Sequence, residues 1–165
     1  MKFPLERRFP EEISVLEDLF GHTEVQVRLP RLNDIFNRAE NAWRNYVAQI
    51  PNGRVKYLLI AEAPPWSVTG VAPQYVLDPS SRPRTLMRAL RKAFLPPNGQ
   101  LKSADALAEF ARQSFLLVDS IPFAMDYSPK RGAPNYDKLV GLSARSFLQE
   151  TLKSSSLVWS SPENS

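Results

Sequence analysis

The stretch Val55 to Pro65, VKYLLIAEAPP, limits what this chain can fold into more than any other. It opens as a run of β-formers and breaks at Ala61-Glu62-Ala63 into two consecutive prolines, Pro64 and Pro65. A short apolar run ended by proline predicts a buried central strand at the point where it leaves its sheet. Neither proline can donate a ladder hydrogen bond, so the strand cannot continue past Ala63. Glu62 is thereby placed at the C-terminal end of a strand, where open α/β sheets bind their ligands.

A second stretch repeats this plan. Phe115-Leu116-Leu117-Val118-Asp119 is an apolar run with an acid at its end, and Ser120-Ile121-Pro122 follows as a proline exit. The spacing predicts helices around both strands. Glu11 to Phe20 carries Ile13, Leu16, Leu19 and Phe20 on one face, and Gly21 ends it. Pro30 to Ile50 carries Leu32, Ile35, Phe36, Ala39, Trp43, Tyr46, Val47 and Ile50 at helical spacing, with Trp43 in the core. Residues 1–10 and His22 to Leu29 read as extended, the latter from the alternation of Val25, Val27 and Leu29. A helix ending near Leu95, one capped by Ser103, and one over Tyr136 to Leu152 follow, and Leu157-Val158-Trp159 is a third strand.

Strands alternating with helices predict the α/β class, as a three-layer α/β/α sandwich around a short central parallel sheet. Three strands fall below the usual four to six, so the sheet reads as truncated towards the C-terminus. The length of 165 residues points to one domain over 1–165, with 1–29 as an N-terminal extension. No cysteine is present, which excludes disulfides, thiolate catalysis and cysteine metal sites. His22 is the one histidine, so a His-rich metal site or a His–His relay cannot form within one chain. No metal or cofactor is called for. The N-terminus is charged early and no run reaches about 18 apolar residues, so neither a signal peptide nor a membrane span is expected and the cytoplasm is the default.

Lysine and arginine total 21 against 17 acids, a net charge of +4 that suits a polyanionic partner. Arg82, Arg84, Arg88, Arg91 and Lys92 cluster after the first strand, and Lys130 and Arg131 lie in the loop after the second. These groups read either as phosphate contacts or as ordinary solvated faces. Trp66, Tyr75 and Phe123 are loop aromatics near the strand ends, able to stack on a base or to pack on the core. Glu62 reads either as a functional strand-end acid or as a carboxylate paired with an arginine. Asp119 reads either as its partner carboxylate, which would shift both titrations, or as a turn former.

At Ala61-Glu62-Ala63-Pro64-Pro65 the chain resembles the uracil-DNA glycosylase superfamily, in the branch whose first motif reads Gly-Glu-Ala-Pro-Gly after a buried strand. Phe115 to Pro122 is similar in position and character to the second core strand of that superfamily. The resemblance covers roughly Val55 to Trp159. It implies a DNA partner and a motif loop, with Ala63 and Pro64, lying under a flipped base. It further implies cleavage of an N-glycosidic bond, with Glu62 or Asp119 positioning water and a loop aromatic stacking the base. Three departures bear on activity. Ala61 and Pro65 replace the two motif glycines, and no His-Pro-Ser-type loop follows the last strand, where Trp159-Ser160-Ser161-Pro162 stands. The alternative is therefore a catalytically inactive nucleic-acid-binding or assembly module on the same fold, with homodimerisation covering an open sheet edge.

Overall fold

The computed structural model describes residues 4–66, 75–80, 85–95, 102–154 and 157–159. Arg82 and Arg84 from the basic cluster, and Ser160 to Pro162 after the last strand, lie outside them. The chain mixes helices with parallel strand pairs. By its contacts it divides into two compact units. One comprises Met1–Arg38, Ala61–Pro73 and Asp119–Ser154, the other Ala39–Ile60, Gln74–Val118 and Ser155–Ser165.

The first unit begins with α1 (Leu5–Arg8), α2 (Pro10–Phe20) and the first part of α3 (His22–Val47). Two expectations are corrected here. Residues 1–10 are not extended, because Leu5 starts a helical turn and Pro10 takes the first position of α2, where its missing N–H has no partner to lose. His22 to Leu29 is helix. Val25, Leu29, Leu32, Phe36, Ala39, Trp43 and Tyr46 are all buried at helical spacing, whereas Val27 is 74% exposed. The alternation of three valines and leucines was thus the upstream end of a 3.6-residue stripe, which continues through Pro30 within the helix. Gly21, at a φ of 91°, makes the break between α2 and α3 in a backbone region that side chains disfavour. Within the segment expected as an extension, Leu5, Phe9, Ile13, Val15, Leu16 and Leu19 are core and pack with the α3 stripe.

The remainder of that core comes from a segment without regular structure. Ile121, Phe123, Ala124, Met125 and Tyr127 are all buried. Phe123 meets Phe9 edge-to-face with ring centroids 5.9 Å apart. α6 (Pro134–Ser143) follows, then a wide helical turn over Ala144–Leu148 and α7 (Gln149–Ser154). The expected helix from Tyr136 to Leu152 is thus present with one wide turn inside it, where Ser146 donates to the buried carboxylate of Glu12.

The second unit contains β1 (Arg54–Val55), most of β2 (Tyr57–Ala61), α4 (Thr85–Phe94), α5 (Ser103–Arg112), most of β3 (Phe115–Asp119) and β4 (Val158–Trp159). β3 is buried along its whole length. α5 starts at Ser103 itself, after Lys102 and without a side-chain cap. Among the described residues the strands form two pairs, β1 with β4 and β2 with β3. The first is parallel, with Arg54 opposite Val158 and Val55 opposite Trp159. Side chains satisfy the outer edge of β3. Trp43 Nε1 donates to the Leu117 carbonyl at 3.1 Å, and Tyr46 Oη donates to the Phe115 carbonyl at 2.6 Å. Carbonyls two residues apart on a strand point the same way, so two donors one helical turn apart on α3 close an edge that would otherwise accept another strand.

β2 differs most from expectation. It is no buried central strand: Tyr57 is 51% exposed, Leu58 41% and Ile60 51%. A bend at Lys56, whose N–H and that of Tyr57 both reach the Ser114 carbonyl, separates it from β1. Among the described residues it has one strand neighbour, β3.

Candidate functional site

The strand-end site lies in the first unit and is built from the backbone outwards. Where β2 ends, the Ala61 carbonyl accepts the Ser120 N–H at 2.8 Å, and the Glu62 carbonyl accepts the Ile121 N–H at 2.9 Å. Ser120 Oγ also donates to the Glu62 carbonyl, at 2.9 Å. Glu62 and Asp119 thus stand at the ends of two neighbouring strands, and three hydrogen bonds hold the backbone at Ala61 and Glu62 in place.

The Glu62 side chain is fully engaged. Arg131 Nε donates to Oε1 at 2.8 Å and Arg131 Nη2 donates to Oε2, a two-pronged guanidinium–carboxylate pair. Tyr136 Oη adds a third bond to Oε1 at 2.7 Å. Local chain geometry delivers both partners. Lys130 and Arg131 donate backbone N–H groups to the Tyr127 carbonyl, and Gly132 turns the chain at a φ of 122°. Pro134 then opens α6, so Tyr136 lies in its first turn.

The electrostatics follow from these contacts. The Arg131 fork, helped by Tyr136, holds the Glu62 carboxyl below the usual carboxylate range. Burial, and next the Glu62 carboxylate, push the Tyr136 hydroxyl up. Burial also pushes up Tyr127, whose Oη donates to the Phe123 carbonyl at 3.1 Å. An ionised carboxylate carrying three hydrogen bonds and a cation is a poor acceptor for a proton from water. Arg131 keeps more than half of its side chain in solvent and has further N–H groups to offer outwards.

Glu62→Gln should lower stability at neutral pH by about 1 kcal/mol or less, because the pair is partly in water. The folded-state pKa of Glu62 is depressed, so its contribution is full above its ordinary value of 4.5 and fades as pH falls through the lowered value. Denaturation of both proteins at pH 7 and at pH 3 checks this: the gap should be smaller at the lower pH. A gap that widens on acidification would contradict the pairing.

The other expected site residues divide clearly. Pro64 is buried, and Ala63 packs on the core of the first unit. Asp119 is 5% exposed and engaged within the protein. Phe123, read as able to stack on a base or to pack on the core, is core and unavailable for stacking, since it is fully buried with its ring against Phe9. Tyr75, another stacking candidate, is buried in the second unit. Lys130 lies over the Phe20 ring at 5.5 Å, and Arg88 is exposed on α4.

Trp66 is half-buried and carries two cations that sequence reasoning missed. Arg28 Cζ lies 4.3 Å from its ring and Arg31 Cζ 5.3 Å. Their separation of three residues would have marked them as neighbours had α3 been extended upstream of Pro30. Tyr136 was missed because nothing local ties it to Glu62.

Among the described residues, no three or more His, Asp or Glu side chains converge to hold a metal ion, and no helix is long and apolar enough to cross a membrane. Comparison with protein families, with curated proteins and with solved structures finds no match to this chain.

Proposed function

We propose that this chain is a nucleic-acid-binding module on a uracil-DNA glycosylase-like, three-layer α/β/α plan that does not hydrolyse the N-glycosidic bond. One observation carries the second half of that reading. The acid at the strand end, where the glycosylase motif would put its chemistry, has both oxygens held by Arg131 and one of them also by Tyr136. A group that must orient or deprotonate water needs a free acceptor, and Glu62 is committed as an ion-pair partner. The net charge of +4, the outward N–H groups of Arg131 and the Arg28–Trp66–Arg31 cluster support the binding half.

The test is an assay for release of uracil or hypoxanthine from labelled oligonucleotides, run beside binding to the same strands. Binding without release is expected, and Glu62→Gln should leave the affinity within about twofold, since Glu62 offers a phosphate nothing. Base release by the wild type that Glu62→Gln abolishes would establish catalysis and overturn this reading.

A further inference from the structure

We propose that the face of the second unit formed by β2 and α4 binds single-stranded nucleic acid, with Tyr57 and Phe94 stacking on bases and Arg91 taking a phosphate. The inference rests on the nucleic-acid reading above and assigns it a surface separate from the Glu62 site.

The first observation is Arg91. Its Nε and Nη2 are shut off from solvent, yet neither has a hydrogen-bond acceptor among the described residues. A guanidinium can only donate, so desolvated nitrogens without an acceptor leave a charged group uncompensated. An anion from outside the chain would complete it. Turning this guanidinium out to an anion breaks no hydrogen bond from those two nitrogens to a described residue.

The second observation is aromatic. Phe94 lies three residues beyond Arg91, which makes the two neighbours on the surface of α4, and Arg88 stands three residues before Arg91. Leu90 and Met87, one and two helical turns before Phe94 on its own side of α4, are buried, so Phe94 continues their stripe to the end of the helix. Phe94 is 38% exposed, and its ring centroid is 6.1 Å from that of the half-exposed Tyr57. Beneath both lies Phe115, which is buried, with centroids 5.2 Å from Phe94 and 6.5 Å from Tyr57. The pair is therefore mounted on a packed floor.

Charge selects the ligand. α4 reads TLMRALRKAF, with three cations and no acid. Aromatic faces beside unopposed arginines match unstacked bases on a phosphate backbone, whereas the cores of protein interfaces are depleted in charge. Duplex DNA keeps its base faces stacked inside, so the single strand is the form that fits.

The experiment is fluorescence anisotropy with a labelled oligothymidylate of about 12 nucleotides at roughly 50 and 200 mM salt. Arg91→Gln should weaken binding about tenfold and lower the salt slope by about one, and Arg91→Lys should restore the slope. Tyr57→Ala should weaken binding about fivefold or more. Arg112→Gln removes the same charge from a guanidinium already forked onto Glu109 and should stay within about twofold. Circular dichroism on each variant separates unfolding from lost contact. If the wild type binds but Arg91→Gln and Tyr57→Ala behave like Arg112→Gln, this surface is wrong and the binding-module reading survives. If the wild type binds neither single strand nor duplex at the lower salt, both fail. If it binds no strand but self-associates in sedimentation, and Tyr57→Ala abolishes that, the face is a protein interface and the inference is overturned.

Discussion

Phe9→Ala should cost about 3–5 kcal/mol of stability, the range for deleting a fully buried aromatic side chain. Phe9 is 1% exposed and sits where α1 meets α2. Its ring makes edge-to-face contacts with Phe36, Phe123 and Phe147, at centroid distances of 5.7, 5.9 and 6.0 Å. Those partners come from α3, from the irregular segment after β3 and from the wide turn after α6. A cavity at Phe9 therefore removes the contact surface of three segments at once, and none can collapse into it without leaving its own neighbours. With a typical stability of about 5–15 kcal/mol, such a loss is a large fraction of the whole. Urea denaturation should show a midpoint shift of roughly 1–3 M. A change below about 1 kcal/mol would mean that residues 4–9 are an appendage, as the first 29 residues read from sequence alone.

Trp43→Ala is the second large effect, also about 3–5 kcal/mol, and it probes the other unit. It removes a buried indole and leaves the Leu117 carbonyl without its donor. Tyr46 beside it, whose hydroxyl burial pushes well up, still satisfies the Phe115 carbonyl. Trp43→Phe should lose less, about 1–3 kcal/mol, because most of the apolar contact stays while a buried acceptor is orphaned. Equal losses for the two variants in urea melts would mean that packing contributes nothing and the hydrogen bond everything. The opposite pattern, a harmless Trp43→Phe, would mean that water or another donor replaces the indole on β3.

Both positions show what kind of information a sequence carries. Trp43 was legible as core because α3 is a long helix, and burial along a helix repeats every 3.6 residues whatever lies opposite. Phe9 was not legible, because it stands between two short helices, outside any period. Val27 misled: two apolar neighbours at spacing two imitate a strand, and only continuing the stripe to Leu32 and Phe36 shows that Val25 and Leu29 belong to it. Phe123 read as able either to stack on a base or to pack on the core, and the helices of the first unit decided for the core by covering it. Tyr57 to Ile60 read as buried for the opposite reason. Its composition suits a central strand, but composition cannot state whether another element covers it.

Glu62 marks the boundary most sharply. The sequence by itself determined that an acid follows a strand and that the strand must end there, since proline cannot extend a ladder. It also determined the twin exit at Asp119 and the basic balance of the chain. The tertiary structure decided what surrounds Glu62, by bringing Arg131 from 69 residues away and Tyr136 from 74. Strand ends and helical stripes are set by neighbours along the chain, so they are written locally. The chemistry of a carboxylate is set by the donors around it, and those come from whichever distant segment the packed fold brings there.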